Sequence, residues 1–197
     1  IRDRASRTRE KVRGQPFPHL SMIRQTQIAS ALETALKLDP DPRTELQAHH
    51  LLAMLYQGQG FLEPAARHRR EELRCIQAVG RPPGWAAKDY GDFIDQHERA
   101  VKNMERDVKN LQDQYELTAA KKPPLQQAQI ALSKNLPETA LNLLLEAYKK
   151  DPKDLLDPRN KGYAPGAVLI LELRLRLGRL EEVREALTPD IERALGC

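Results

Sequence analysis

Apolar positions recur with a helical period along most of the chain, and the pattern is densest between Gln47 and Leu73. The run Q-A-H-H-L-L-A-M-L-Y-Q-G-Q-G-F-L-E-P-A-A-R-H-R-R-E-E-L places Leu51, Leu52, Leu55 and Tyr56 on one stripe, and Ala53 leaves room for a neighbouring backbone. Gly58 and Gly60 interrupt the pattern, and Pro64 falls in the first turn of a second helix, where its missing N–H costs nothing. Two helices joined by so short a turn lie antiparallel. A lone pair cannot bury its apolar faces, so further helices must stack beside it.

The same punctuation divides the rest. A helix is predicted from His19 or Ser21 to Leu38, with Ile28, Ala31, Leu32, Ala35 and Leu36 on its inner face, and Asp39-Pro40-Asp41-Pro42 stops it. The next starts near Thr44 and closes around Gly58, and its partner runs from Leu62 to about Val79. Gly80-Arg81-Pro82-Pro83-Gly84 is a loop. From Trp85 to Ala120 there is no proline, and no glycine after Gly91. Ala87, Ile94, Val101, Val108 and Tyr115 form one heptad column there, and Tyr90, His97, Met104, Leu111 and Thr118 the other. At 1.5 Å per residue this is a single helix of about 50 Å. His97 then reads as a core histidine with a partner.

Lys121-Lys122-Pro123-Pro124 ends the long helix, and a short one follows from Leu125 to Lys134. Pro137 opens a helix with Ala140, Leu141, Leu144, Leu145, Ala147 and Tyr148 on its apolar face, and Asp151-Pro152 stops it. Asp154 to Tyr163 reads as an irregular loop. Pro165 begins another pair that turns at Leu177-Gly178-Arg179 and ends at Leu187-Thr188-Pro189, with one more turn expected before Leu195.

Leu and Ala dominate the apolar set of these 197 residues and β-branched runs are scarce, so the fold class is all-α. The longest apolar stretch, Ala167 to Leu171, is far below the roughly 18 residues of a membrane span. No signal peptide is visible, and a chain opening on Ile1 reads as a piece or a processed product. Cys75 and Cys197 make no metal spacing and read as free thiols in a reducing compartment, so a cytoplasmic location is expected. The alternative is the soluble part of a larger, membrane-attached protein.

Charge changes this picture at one end. Arg2, Arg4, Arg7, Arg9, Lys11 and Arg13 face only Asp3 and Glu10 within residues 1–14, a net +4 equal to that of the entire chain. Residues 15–197 therefore balance. The segment reads as a solvated tail or as an arm near an anionic surface, either nucleic acid or a membrane. Gln15-Pro16-Phe17-Pro18 ends it. Four regions follow from these breaks: a basic arm and link over 1–18, helices over 19–80, the loop and long helix over 81–122, and helix pairs over 123–197.

Leu52, Ala53, Tyr56, Gly60 and Ala65 stand in the order of W-x2-L-G-x2-Y, G and A-x3-F-x2-A-x4-P, the motif of the tetratricopeptide repeat (TPR) of about 34 residues. Ile28, Leu32, Ala35 and Pro40 match the second half of an earlier repeat, and Ala128, Ala131, Ala140, Leu144, Ala147 and Pro152 a later one. Gly178, Val183 and Ala186 match a last, looser one. The inward small position recurs at 28, 65, 140 and 183, at spacings of 37, 75 and 43 residues, and the long helix fills the slot of a missing repeat. Arg69 and Glu72 depart from the motif, where the family has an aromatic and a small residue, and Trp85 lies outside it.

The chain thus resembles degenerate TPR-like repeats. The resemblance implies an α-solenoid of antiparallel helix pairs with one long central helix, and a protein or peptide partner held in a concave groove. By position that groove takes Gln47, His50, Met54 and Gln57 from one module, and Gln129, Glu172 and Arg176 from later ones. Catalysis is not expected, because HExxH, Gly-rich phosphate loops and GxSxG are all missing. His49 and His50 point about 100° apart on a helix, a poor metal pair, and His68 and Cys75 lack further ligands nearby in sequence. No metal or cofactor is therefore expected.

Two further partner classes stand beside the groove. The arm would suit an anionic surface, a membrane near a missing N-terminal segment before nucleic acid. The long helix would suit a homo-oligomer, since its second half outlasts its neighbours. There Met104, Val108, Leu111 and Tyr115 either present a stripe to a second copy or are covered by the helices after Pro123 folding back.

Overall fold

The computed structural model describes residues 22–151, 155 and 166–186. The basic arm and its link, the loop around Asp157 and Gly162, the last turn before Leu195, and Cys197 lie outside the described residues. Within them every regular element is an α-helix. These are α1 (Met22–Lys37), α2 (Pro42–Gly58), α3 (Leu62–Val79), α4 (Ala87–Ala119), α5 (Pro124–Ser133), α6 (Pro137–Lys150), α7 (Gly166–Arg176) and α8 (Leu180–Ala186). The all-α expectation holds, and no helix among the described residues is long and apolar enough to cross a membrane.

Local chemistry sets the boundaries. Asp41 caps α2, its Oδ1 accepting from the Arg43 and Thr44 amides at 3.0 and 3.2 Å, and Pro42 supplies the fixed φ of the first helical position. Those bonds and one from the Thr44 hydroxyl hold the Asp41 carboxyl below the usual carboxylate range. Pro124 and Pro137 open α5 and α6 in the same way.

The chain forms two compact units, residues 1–101 and 102–197, and the division falls within α4. In the first unit α2 packs against α3 and α1 against α2. Its core holds Ala29 of α1, Ala48, Leu52, Ala53, Leu55 and Tyr56 of α2, and Ala65, Ala66, Cys75 and Ile76 of α3. Ala53 and Ala65 are 0% exposed, which lets the two helices approach closely. Leu51, expected on the buried stripe, is instead 38% exposed, because one residue's step around the helix carries it off the α3 side. The inner face of α1 is likewise rotated. Ala31 is exposed, while Ala29 and Ser30 are buried. Polar bonds fix that rotation: Glu33 Oε1 accepts from the Tyr56 hydroxyl at 3.4 Å, and Gln25 Oε1 from the Gln59 amide at 3.1 Å.

In the second unit α5 packs on α6, α6 on α7 and α7 on α8. Ala128, Ala131, Leu136, Ala140, Leu141 and Leu144 are all 0% exposed. Ala167 and Leu171 form a cluster against which Val183 packs.

Three helix-to-helix turns share one geometry. Gly60, Asn135 and Gly178 have φ of 77°, 58° and 72°. The residue after each donates its amide five residues back: Phe61 to Tyr56 at 2.9 Å, Leu136 to Ala131 at 2.9 Å, Arg179 to Arg174 at 2.8 Å. The left-handed residue itself donates three back at 3.0 Å in all three turns. These are Schellman-like ends, which close the carbonyls of the first helix while reversing the chain. Ala65, Ala140 and Val183 each follow their left-handed residue by five positions, so the spacings of 75 and 43 residues in the sequence are those of the turns. Gly60→Val should lower the unfolding free energy by about 1–2 kcal/mol, whereas Asn135→Gly should change it by less than about 0.5 kcal/mol, as measured by urea unfolding.

The long helix exists as one element of 33 residues. Val101 and Ala119 are buried, and Met104, Val108, Leu111 and Tyr115 are half-buried, so this stripe neither stands fully open nor reaches the depth of the core. Its C-terminal end is tied to α5, with the Tyr115 hydroxyl 3.4 Å from Gln127 Oε1 and Lys134 Nζ 3.3 Å from Gln114 Oε1. His97 is half-buried, its Nδ1 donating to the Phe93 carbonyl at 3.0 Å and its ring centroid 4.3 Å from that of Phe93.

Candidate functional site

Helix α2 has two unlike sides. Gln47, Leu51 and Gln57 are exposed and Met54 is half-buried, and their spacing puts them on one outward strip of mixed polar and apolar character. His50, placed by resemblance on the same strip, is drawn towards α3. Its Nδ1 donates to Glu72 Oε1 at 2.7 Å, and Arg69 Nη1 donates to Glu72 Oε2 at 2.7 Å. Glu72 is only 3% exposed, so both oxygens of a buried carboxylate are satisfied by one cation and one imidazole N–H. Arg69 and Glu72, the departures from the repeat motif, thus form a polar bridge from α3 to α2.

In the second unit Gln129 is half-buried on α5, and Glu172 and Arg176 are half-buried on α7. The last two pair with each other at 2.5 Å across one helical turn. Gln47, His50, Met54 and Gln57 share one helix, as do Glu172 and Arg176, and Gln129 stands on a helix of its own. The six basic residues of the arm lie outside the described residues.

A second cluster occupies the α2–α3 seam itself. His49 is 8% exposed and His68 3%, with their Nδ1 atoms 2.9 Å apart. His68 stacks on Tyr56, ring centroids 5.6 Å apart, and its Nε2 lies 3.2 Å from Glu33 Oε1. Glu33, which can only accept, and Arg67, which can only donate, both face His68 Nε2; in the tautomer that bonds Glu33 the proton is on Nε2 and Nδ1 offers a lone pair. Arg67, 3.3 Å from the same Nε2 and 3.5 Å from Glu33 Oε1, neutralises the carboxylate. In that tautomer His49 donates from Nδ1 to His68, which leaves its Nε2 as a lone pair 3.8 Å from Glu45 Oε1. Burial and the neighbouring His68 push the His49 pKa down, so neutral imidazole is favoured there.

Cys75 completes this corner. Its thiol is buried and free, and ligand atoms of Glu45, His49 and Cys75 all lie within 4.8 Å of one another. Burial pushes the Cys75 pKa up. The Arg74 guanidinium bonds Glu45 and lies 3.9 Å from Cys75 Sγ, while its Nε donates to Glu71 Oε2 at 2.7 Å. The sequence reading found no ligands near Cys75. The signal was Glu45 and His49, four apart on one helix face, but only the antiparallel register of α2 and α3 brings Cys75 to them.

Comparison with protein-family models, with curated proteins and with solved structures found no match.

Proposed function

We propose that the chain is a non-catalytic protein-interaction module, a TPR-like α-solenoid whose first helices present the binding face to a peptide or helix of a partner protein. The observation that carries this reading is the turn repeated at Gly60, Asn135 and Gly178 with the same hydrogen-bond register. It gives α2, α5 and α7 the same role, each the first helix of a reversed pair. All the groove residues named from the sequence stand on those three helices. On α2 the strip of Gln47, Leu51, Met54 and Gln57 combines apolar anchors with adaptable amides, a composition suited to helix or peptide capture.

The partner is first captured from lysate by the full chain and identified. Leu51→Glu combined with Met54→Glu should then weaken its binding by about tenfold or more while leaving the helical circular dichroism intact. Unchanged affinity in that variant, with loss of binding on deleting residues 1–14, would move the function to the arm.

A further inference from the structure

The hydrogen-bond chain from Glu33 through His68 to His49 has a consequence at its far end. In the tautomer that bonds Glu33, the His49 Nε2 lone pair lies 3.8 Å from a Glu45 carboxylate oxygen, and Cys75 joins these two residues in one cluster of ligand atoms within 4.8 Å. The geometry points to a divalent cation site of the zinc class in the α2–α3 seam, with Cys75 Sγ, His49 Nε2 and a Glu45 oxygen as ligands.

The donor set suits that ion. Thiolate, imidazole and carboxylate are the zinc ligands, and they select a borderline-soft cation over calcium or magnesium, which take oxygen. Tetrahedral zinc with one sulfur, one nitrogen and one oxygen ligand needs donor atoms about 3.3–3.6 Å apart. The present triangle, within 4.8 Å, must close by roughly 1 Å at its widest. Glu45 supplies that movement, since its side chain is 27% exposed whereas His49 and Cys75 are buried. Three protein ligands leave one position for water.

The outer layer is already built. A ligating histidine commonly donates its other ring N–H to a hydrogen-bond acceptor, which fixes tautomer and orientation. Here, in the tautomer with His68 bonded to Glu33, His49 does so to His68 at 2.9 Å. Arg74 holds the positive charge of this corner, bonded to Glu45 and close to Cys75 Sγ. Its side chain is 57% exposed and has Glu71 as a second partner, so it can swing away as the ion enters.

On binding, the S–H bond of Cys75 breaks, the sulfur keeps the electron pair to form the metal–sulfur bond, and the proton leaves to solvent. The groups facing the site are Glu45 from α2 and His68, Glu71 and Arg74 from α3. Because binding releases the thiol proton, affinity should fall as pH is lowered.

Cobalt(II) and zinc(II) are the probes, added to the reduced full chain. One equivalent of cobalt should produce the thiolate-to-metal absorption of a tetrahedral site, and zinc should displace it. Cys75→Ala and His49→Gln should abolish the band with the circular dichroism unchanged, and Cys197→Ala should retain it. His68→Gln should weaken zinc by about tenfold or more, and Arg74→Gln should tighten it by about tenfold. A full chain without the band, or a Cys75→Ala protein that keeps it, overturns the assignment.

Discussion

Leu52→Asp is expected to abolish the cooperative thermal transition of the first unit, and Leu144→Asp that of the second. Both side chains are 0% exposed, Leu52 in the seam of α2 and Leu144 on the inner face of α6. The buried acidic groups nearest in kind, Glu63 and Glu72, show what such a position would require. Glu72 is tolerated at 3% exposure only because His50 and Arg69 bond both its oxygens. An aspartate at 52 or 144 would sit among apolar side chains with no partner, at a cost of several kcal/mol per ion. A domain has only about 5–15 kcal/mol to lose. Melts followed at 222 nm (the usual helix wavelength, roughly) by circular dichroism would report it, and curves unchanged for both variants would overturn the core assignment.

Gly166→Val and Gly91→Ala should move stability in opposite directions. A Cβ at Gly166 would lie 2.6 Å from Leu155 Cδ2 and 3.1 Å from Leu155 Cβ. Leu155 is 3% exposed and has little room to yield, so overpacking should cost about 2–3 kcal/mol. At Gly91, inside α4, an added Cβ meets nothing within 4 Å. Alanine there removes backbone freedom from the unfolded chain and should stabilise by about 0.5–1 kcal/mol. Urea unfolding of both variants against the parent separates the cases, and a neutral Gly166→Val would mean that Leu155 can be displaced at little cost.

Proline and glycine made the helices legible. Pro42, Pro124 and Pro137 open them, Gly58 with Gly60 and Gly178 close them, and the observed ends fall close to those positions. The unbroken stretch after Gly91 likewise foretold a single long helix. Apolar periodicity was less able to fix rotation. On α1 it favoured Ala31, yet the helix turns Glu33 and Gln25 inward because Tyr56 and Gln59 offer them hydrogen bonds. Side chains that bond across a seam carry no periodic signature, so the His49–His68 pair and the Glu72 bridge could not be read from one helix at a time. The same holds for Glu45, His49 and Cys75, which only the register of two antiparallel helices assembles.

The claim that the outward face of α2 is the binding surface is tested most directly by site-specific photo-crosslinking. A photoreactive side chain placed at Gln57, exposed on that strip, or at Val79, 43% exposed at the end of α3, samples two surfaces of one unit. The account predicts that Gln57 captures the partner identified with the full chain and that Val79 does not. Capture from Val79 alone, or from both positions equally, would contradict it.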